Sequence, residues 1–233
     1  MGLIGTLLEI PNGYKLIAHN FSSDSENEQN PFADHAIILV QGFGADRHSL
    51  DPIAHLLGKM GFKIFSFKLG PLGLFNVENI EKSAQHIVAE LKKLNLKKVS
   101  FVAHSMGGLI VLSLIYLFKE IKFFVDIEKV IMLGSPIQGV WLADMASKIV
   151  GKYLPCVAEM CHGSRLIRQL QNEILHHPPK FKLISVAGES DFIVPPESAK
   201  CPNAENIVIQ GVGHAGLVTS HKAQRLLSRL ITT

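Results

Sequence analysis

Residues 101–111, FVAHSMGGLIV, set a single serine between an apolar run of strand length and a glycine pair that opens a second apolar run. A serine hydroxyl is a weak nucleophile at neutral pH, so chemistry at Ser105 needs a base within reach and a carboxylate to orient that base. Small residues two before and two after the serine, Ala103 and Gly107, are what a sharp strand-to-helix turn requires if strand and helix are not to clash. The pattern is a nucleophile elbow, G-x-S-x-G with alanine in the first small position; the bland alternative is a serine that merely caps a helix. Among the eleven histidines, His214 is favoured as base because it follows a strand-like run and lies in the glycine-rich turn 211–216. His104 is in the elbow itself, where the turn directs it away from the nucleophile, and His176 and His177 precede Pro178-Pro179 in a loop. For the acid, Asp191 follows the apolar run that ends at Ala187. Its rivals are Asp126, which precedes its strand and so belongs at the other end of a sheet, and Asp144, in an irregular stretch.

The elements that must position these groups are legible as alternating patterns. Residues 36–40 (AIILV), 62–67 (FKIFSF), 99–103 (VSFVA), 130–133 (VIML), 181–187 (FKLISVA) and 206–209 (NIVI) are nearly continuous apolar runs, the pattern of strands buried on both faces. Between them, Ile53, Leu56, Leu57 and Met60 follow helical spacing behind Ser49 and Pro52. Val77, Ile80, Ala84, Ile87, Val88, Leu91 and Leu94 do the same over nearly five turns, and Ala223, Leu226, Leu227, Leu230 and Ile231 make a last stripe. Such alternation predicts a mostly parallel sheet with helices on both faces. Ligands then bind beyond the carboxyl ends of the strands, where Ser105 would stand. Ahead of the repeat, residues 7–10 and 16–18 flank Pro11-Asn12-Gly13 and read as an antiparallel hairpin at the sheet edge, followed by a solvated loop at 22–30 (SSDSENEQN). Residues 137–180 interrupt the alternation for more than forty residues, an insertion of the size that usually carries function.

These stretches together resemble the α/β-hydrolase family, and within it the lipase-like branch in which A-H-S-M-G replaces G-x-S-x-G. Besides the elbow, the resemblance rests on VQGFG at 40–44, LGSP at 133–136, GESD at 188–191 with IVPP at 193–196, and GVGH at 211–214. It extends over nearly the whole chain and is weakest over 146–180. It implies one α/β-hydrolase domain over 1–233 with a cap inserted after the sixth strand, at 137–180. It also implies a triad of Ser105, Asp191 and His214 in that chain order, with the backbone N–H groups of Phe43 and Met106 receiving the oxyanion. Gln41 departs from the pattern, since lipases usually have histidine there. The stretch through Gly139 and Trp141 resembles the start of a lipase cap, and residues 163–170 (GSRLIRQL) its cap helix. Trp141, Leu142 and Met145 head an apolar set there, expected either to line an acyl-chain pocket under a lid or simply to cover the sheet. The activity implied is cleavage of carboxylic esters, acyl lipid-like esters included, without metal or organic cofactor. Acyl transfer or amide cleavage by the same triad, and a silent hydrolase fold used as a binding module, are the alternatives.

Composition narrows the partners. The 233 residues are 47% hydrophobic and 18% charged, ample for one large core, and a net charge of +3 with scattered lysines gives no nucleic-acid footprint. Cys156, Cys161 and Cys201 form an odd, sparse set that argues against a disulfide framework and for a reducing, cytoplasmic setting. Cys156, Cys161 and His162 lack the second ligand pair of a zinc site. The start, MGLIGT, matches a loose myristoylation pattern but is read as the first strand, with no secretory signal recognised. No apolar run reaches the roughly 20 residues of a membrane span, which leaves transient contact with a lipid surface as the expected membrane relation.

Overall fold

Each of the six strand-like runs of the sequence becomes a strand in the computed structural model, which describes residues 5–9, 15–19, 35–67, 69 and 77–233. Strands β1 (Gly5–Glu9) and β2 (Lys15–His19) form the antiparallel hairpin at one edge. β3 (His35–Val40), β4 (Lys63–Phe67), β5 (Lys98–His104), β6 (Asp126–Leu133), β7 (Lys182–Gly188) and β8 (Glu205–Ile209) are mutually parallel. The order across the sheet is β1-β2-β4-β3-β5-β6-β7-β8. The hairpin turn, the loop at 22–30 and the myristoylation pattern lie outside the described residues.

Side chains of a strand alternate between faces, and the core divides accordingly. Ile38, Val40, Phe101, Ala103, Val130 and Met132 face α2 (Ile80–Leu94), α3 (Met106–Tyr116) and α6 (Arg165–His176). Ile37, Leu39, Val102, Ile131, Leu133 and Ile184 face α1 (Asp51–Lys59) and α9 (His221–Thr232). All residues of α3 are buried, as befits a helix that is apolar all round and lies beneath the centre of the sheet. Among the described residues no helix is long and apolar enough to cross a membrane.

Two expectations need correction, and the inserted region divides. Val77 stands outside α2, because the Asn79 side chain accepts from Lys82 N and caps the helix there; Val77 O instead accepts from Cys156 Sγ. β8 is not buried on both faces: as the edge strand it leaves Glu205 and Val208 exposed. The inserted region does not behave as one body. Its helices are α4 (Trp141–Val150), α5 (Pro155–Glu159) and α6, and α6 buries Leu166, Ile167, Leu170 and Ile174 in the main core beside α3, as a crossover helix does. The short α7 (Pro196–Ala199) and α8 (Gly216–Thr219) follow β7 and β8.

Candidate active site

Ser105 is the one residue between the end of β5 and the start of α3, and it holds φ 55° and ψ −129°. That is a conformation L-residues avoid, and it persists only where surroundings over-determine it. Here they do. Ser105 N donates to Leu133 O of β6 at 2.9 Å, and its hydroxyl makes no capping hydrogen bond, so the helix-cap alternative fails. α3 must begin so close to β3 that a Cβ on Gly107 would lie 2.2 Å from Val40 O. The turn after β3 comes equally near the serine: a Cβ on Gly42 would lie 2.8 Å from Ser105 Cβ. Ala103, flanked by Val40 and Met132 on the neighbouring strands, has no exposure.

The loops after β7 and β8 deliver Asp191 and His214. Asp191 is buried, and its carboxylate is held by three donors: Oδ1 accepts from Ile193 N (3.0 Å) and Val194 N (2.8 Å), and Oδ2 from His214 Nδ1 (2.7 Å). A proton on Nδ1 facing the carboxylate leaves His214 Nε2 with its lone pair, the tautomer a general base requires. The serine shares this locality. A Cβ on Gly134, next to the Leu133 that accepts from Ser105, would lie 3.1 Å from Asp191 Oδ2 and 3.2 Å from His214 Nδ1.

His104, which the turn was expected to direct away from the nucleophile, packs against His214. Its ring lies 4.6 Å from that of His214, centroid to centroid, and its Nε2 lies 3.2 Å from His214 O. Burial first, and then the neighbouring His214, push the His104 pKa down to about 4, so a neutral ring packs against His214. Only a contact 110 residues apart in the chain reveals this role, and no local pattern announces it. Gln41 is buried too and donates from Nε2 to Phe67 O at 3.0 Å, tying the turn after β3 to the end of β4. This is how the loop is supported without histidine.

Met106 is the first residue of α3, where a backbone N–H has no partner within the helix. Phe43 lies in the turn that abuts Ser105, its side chain half exposed. Trp141, Leu142 and Met145 all lie on α4 and are exposed to 48%, 37% and 60%. Of the rival acids, Asp126 opens β6 at the far end of the sheet, and Asp144 on α4 is committed to His162, through its backbone N (2.9 Å) and Nδ1 (2.6 Å). Among the described residues no cluster of His, Cys, Asp or Glu is placed to hold a metal ion, and the three cysteines are free thiols.

Similarity to known proteins agrees with the fold. The chain is 29% identical over 163 residues to the putative hydrolase MhqD of Bacillus subtilis (strain 168), covering 60% of this chain and 79% of that protein. Its fold superposes on the mature lipase BlEst2 of Bacillus licheniformis with a TM-score of 0.75 at 19% identity, covering 94% of this chain and 98% of the lipase. A second match, at TM-score 0.67 and 17% identity over 97% of this chain and 98% of the other, is MGS-MChE2, an alpha/beta hydrolase enzyme from a sediment metagenome of the Mar Chica lagoon, Morocco. Residues 75–204, more than half the chain, match the family model described as alpha/beta hydrolase of unknown function (DUF915), and the chain belongs to that family of the α/β-hydrolase superfamily.

Proposed function

We propose that this hydrolase cleaves carboxylic esters through a covalent acyl-enzyme formed on Ser105. The observation that carries the reading is the conjunction of a strained serine, its hydroxyl uncommitted, with an Asp191–His214 pair bonded at 2.7 Å beside it. In the first half-reaction Ser105 Oγ attacks the ester carbonyl carbon while His214 Nε2 takes the hydroxyl proton. Asp191 holds the imidazole and offsets its charge, and the N–H groups of Met106 and Phe43 stabilise the oxygen that becomes negative. Collapse expels the alcohol, which receives the proton from His214. Water then repeats the sequence and releases the acid, restoring Ser105.

The acyl side of the substrate is apolar on this reading. Phe43, Trp141, Leu142 and Met145, with Phe192 and Ile193 beside Asp191, supply exposed apolar surface at the carboxyl end of the sheet. Within the cap of residues 137–180, α4 is the lid and α6 its fixed base. The lipase named among the structural matches suits this substrate class. The test is labelling by a fluorophosphonate together with hydrolysis of p-nitrophenyl esters of increasing chain length. Labelling is expected in the parent and absent in Ser105→Ala, with turnover favouring longer chains. Labelling that survives Ser105→Ala would sink the assignment.

A further inference from the structure

The turn that carries His214 has little stiffness of its own. In residues 211–216, GVGHAG, three of the six are glycine, and Gly211 holds φ 70°. Without a Cβ to restrict φ and ψ, such a turn does not by itself fix the one imidazole it carries. Asp191 holds that ring at a single atom, Nδ1. One bond leaves the ring free to swing, and a general base displaced by about an ångström loses about a hundredfold in rate. The neighbouring main chain is tied at Val212 O, which accepts from Ser190 N at 3.0 Å, and at Gly213 O, which accepts from Leu217 N at 3.2 Å. His214 O receives only a long bond from Leu217 N, at 3.3 Å, within the turn itself.

His104 supplies a tie from outside. Phe101 and Ala103 of β5 face α3, so alternation along the strand sends Val102 and His104 to the other face of the sheet, which α1 and α9 cover. The chain after β8 crosses that same face, where Val212, Leu217 and Val218 share a core with Val102. There His104 Nε2 meets His214 O at 3.2 Å, and the two rings, 4.6 Å apart, are tilted by 43°. A carbonyl oxygen only accepts, so the proton of His104 is on Nε2. The titratable groups that act on His104 are His214 and Asp191, and burial outweighs both. The ring is therefore neutral and sets no positive charge beside an imidazole that must itself become cationic in proton transfer.

We propose that His104 is a positioning residue: by donating from Nε2 to His214 O and packing against its ring, it fixes the base relative to the serine that follows it in the chain. The inference rests on the roles of Ser105 and His214 proposed above. His104 and Ser105 share a peptide bond at the end of β5, and Ser105 N is held to Leu133 O of β6. One strand end thus presents the hydroxyl and holds the group that deprotonates it. His214 then has two ties of different kinds, a carboxylate on its ring and a donor on its main chain.

Two variants separate donor from ring. His104→Phe keeps a ring and loses the donor, whereas His104→Gln loses the ring and places an amide N–H near the position of Nε2. With p-nitrophenyl butyrate, kcat per fluorophosphonate-titrated site should fall about tenfold in the Phe variant with KM within about twofold, and return to within about threefold of the parent in the Gln variant. A merely structural histidine would move the thermal midpoint and leave kcat per titrated site alone. Parental kcat in the Phe variant, a change confined to KM, or a loss that Gln does not restore would overturn the proposal. NMR of the histidine ring nitrogens in isotopically labelled protein, assigned by loss of signal in His104→Phe and His214→Ala, needs no turnover. His104 should carry its proton on Nε2, and His214 should be sharp in the parent and the Gln variant but exchange-broadened in the Phe variant. A proton on His104 Nδ1, or an unchanged His214 in the Phe variant, would refute the tie whatever the reaction. If Ser105→Ala kept full activity, the ester-cleaving role would fall while these spectra still decided whether His104 holds His214.

Discussion

The strain at Ser105 is of order 1–3 kcal/mol, and it is met by neighbours that leave the chain no alternative: the bond to Leu133 O, and the two glycines that let β3 and its turn come within contact. The consequence is a hydroxyl raised clear of its own helix. On the proposed reading Ser105 and His214 act as one unit, so their losses do not add. Ser105→Ala and His214→Ala should each remove essentially all esterase activity, by several powers of ten, and the double variant should be no worse. Steady-state rates on one soluble ester decide it: either single variant within about tenfold of the parent would end the triad assignment. The position of Ser105, Asp191 and His214 beyond strand ends was legible in the chain because each follows an apolar run that had to be a strand. His104 and Gln41 were not. Their partners, His214 and Phe67, are 110 and 26 residues away, and pairing at such range leaves no mark on local spacing.

The three helices between β6 and β7 show what periodicity says and what it leaves open. α4 and α6 both carry apolar residues at helical spacing, yet α6 buries its stripe beside α3 while α4 leaves Trp141, Met145 and Ile149 exposed. Spacing fixes a face, not what the face meets. Replacing Leu142 and Met145 by serine should therefore lower turnover of long-chain esters much more than of acetate or butyrate esters, with little change in thermal midpoint. Leu170→Ser should instead destabilise the whole protein, by several kcal/mol in denaturant titration, since it puts a cavity and a hydroxyl in the core. An equal drop at all chain lengths for the α4 variant would make α4 mere cover. Between the two, α5 is anchored. Glu159 accepts from Ile80 N at 2.7 Å and from the Asn79 side chain, and so fastens the insertion to the start of α2. Burial is the largest cause of its raised pKa, about 6, with repulsion from Glu81 adding to it against the hydrogen bonds. A folded pKa above the unfolded one means that this group's contribution to stability is present below the unfolded value, near 4.5, and is lost as pH rises through about 6. Glu159→Gln should thus gain stability relative to the parent as pH rises from about 4.5 to 7, a trend that paired urea titrations would reveal and a flat difference would refute.

Across the whole molecule the two ends of one sheet hold similar residues to opposite effect. At the carboxyl ends stand Ser105, His214 and Asp191; at the amino ends, His35 of β3 sits with Ser100 of β5 at 2.9 Å and Glu128 of β6 at 3.6 Å. The second set has the composition of a triad without its geometry. Ser100 lies inside a strand with no exposure, paired in register with Ile37 of β3, and no turn lifts it toward a cleft, although the register with β6 shifts between Val99 and Ser100. Burial lowers the His35 pKa, so the ring is neutral and its Nε2 bond to Ser100 joins β3 to β5. A hydroxyl in a strand is therefore stabilising here, whereas the one at the elbow is held at a cost to stability. Ser100→Ala strands a buried ring nitrogen and should lower unfolding free energy by about 1–3 kcal/mol while leaving the ester turnover number intact. Ser105→Gly removes the proposed nucleophile and relieves a positive φ, so it should abolish turnover while keeping or raising stability, by on the order of 1 kcal/mol after glycine's own entropic cost. Urea unfolding and single-substrate kinetics on the two variants separate the ends. If Ser100→Ala lost activity while remaining folded, or Ser105→Gly were the less stable of the two, the division of the sheet into a stabilising end and a reactive end would fall.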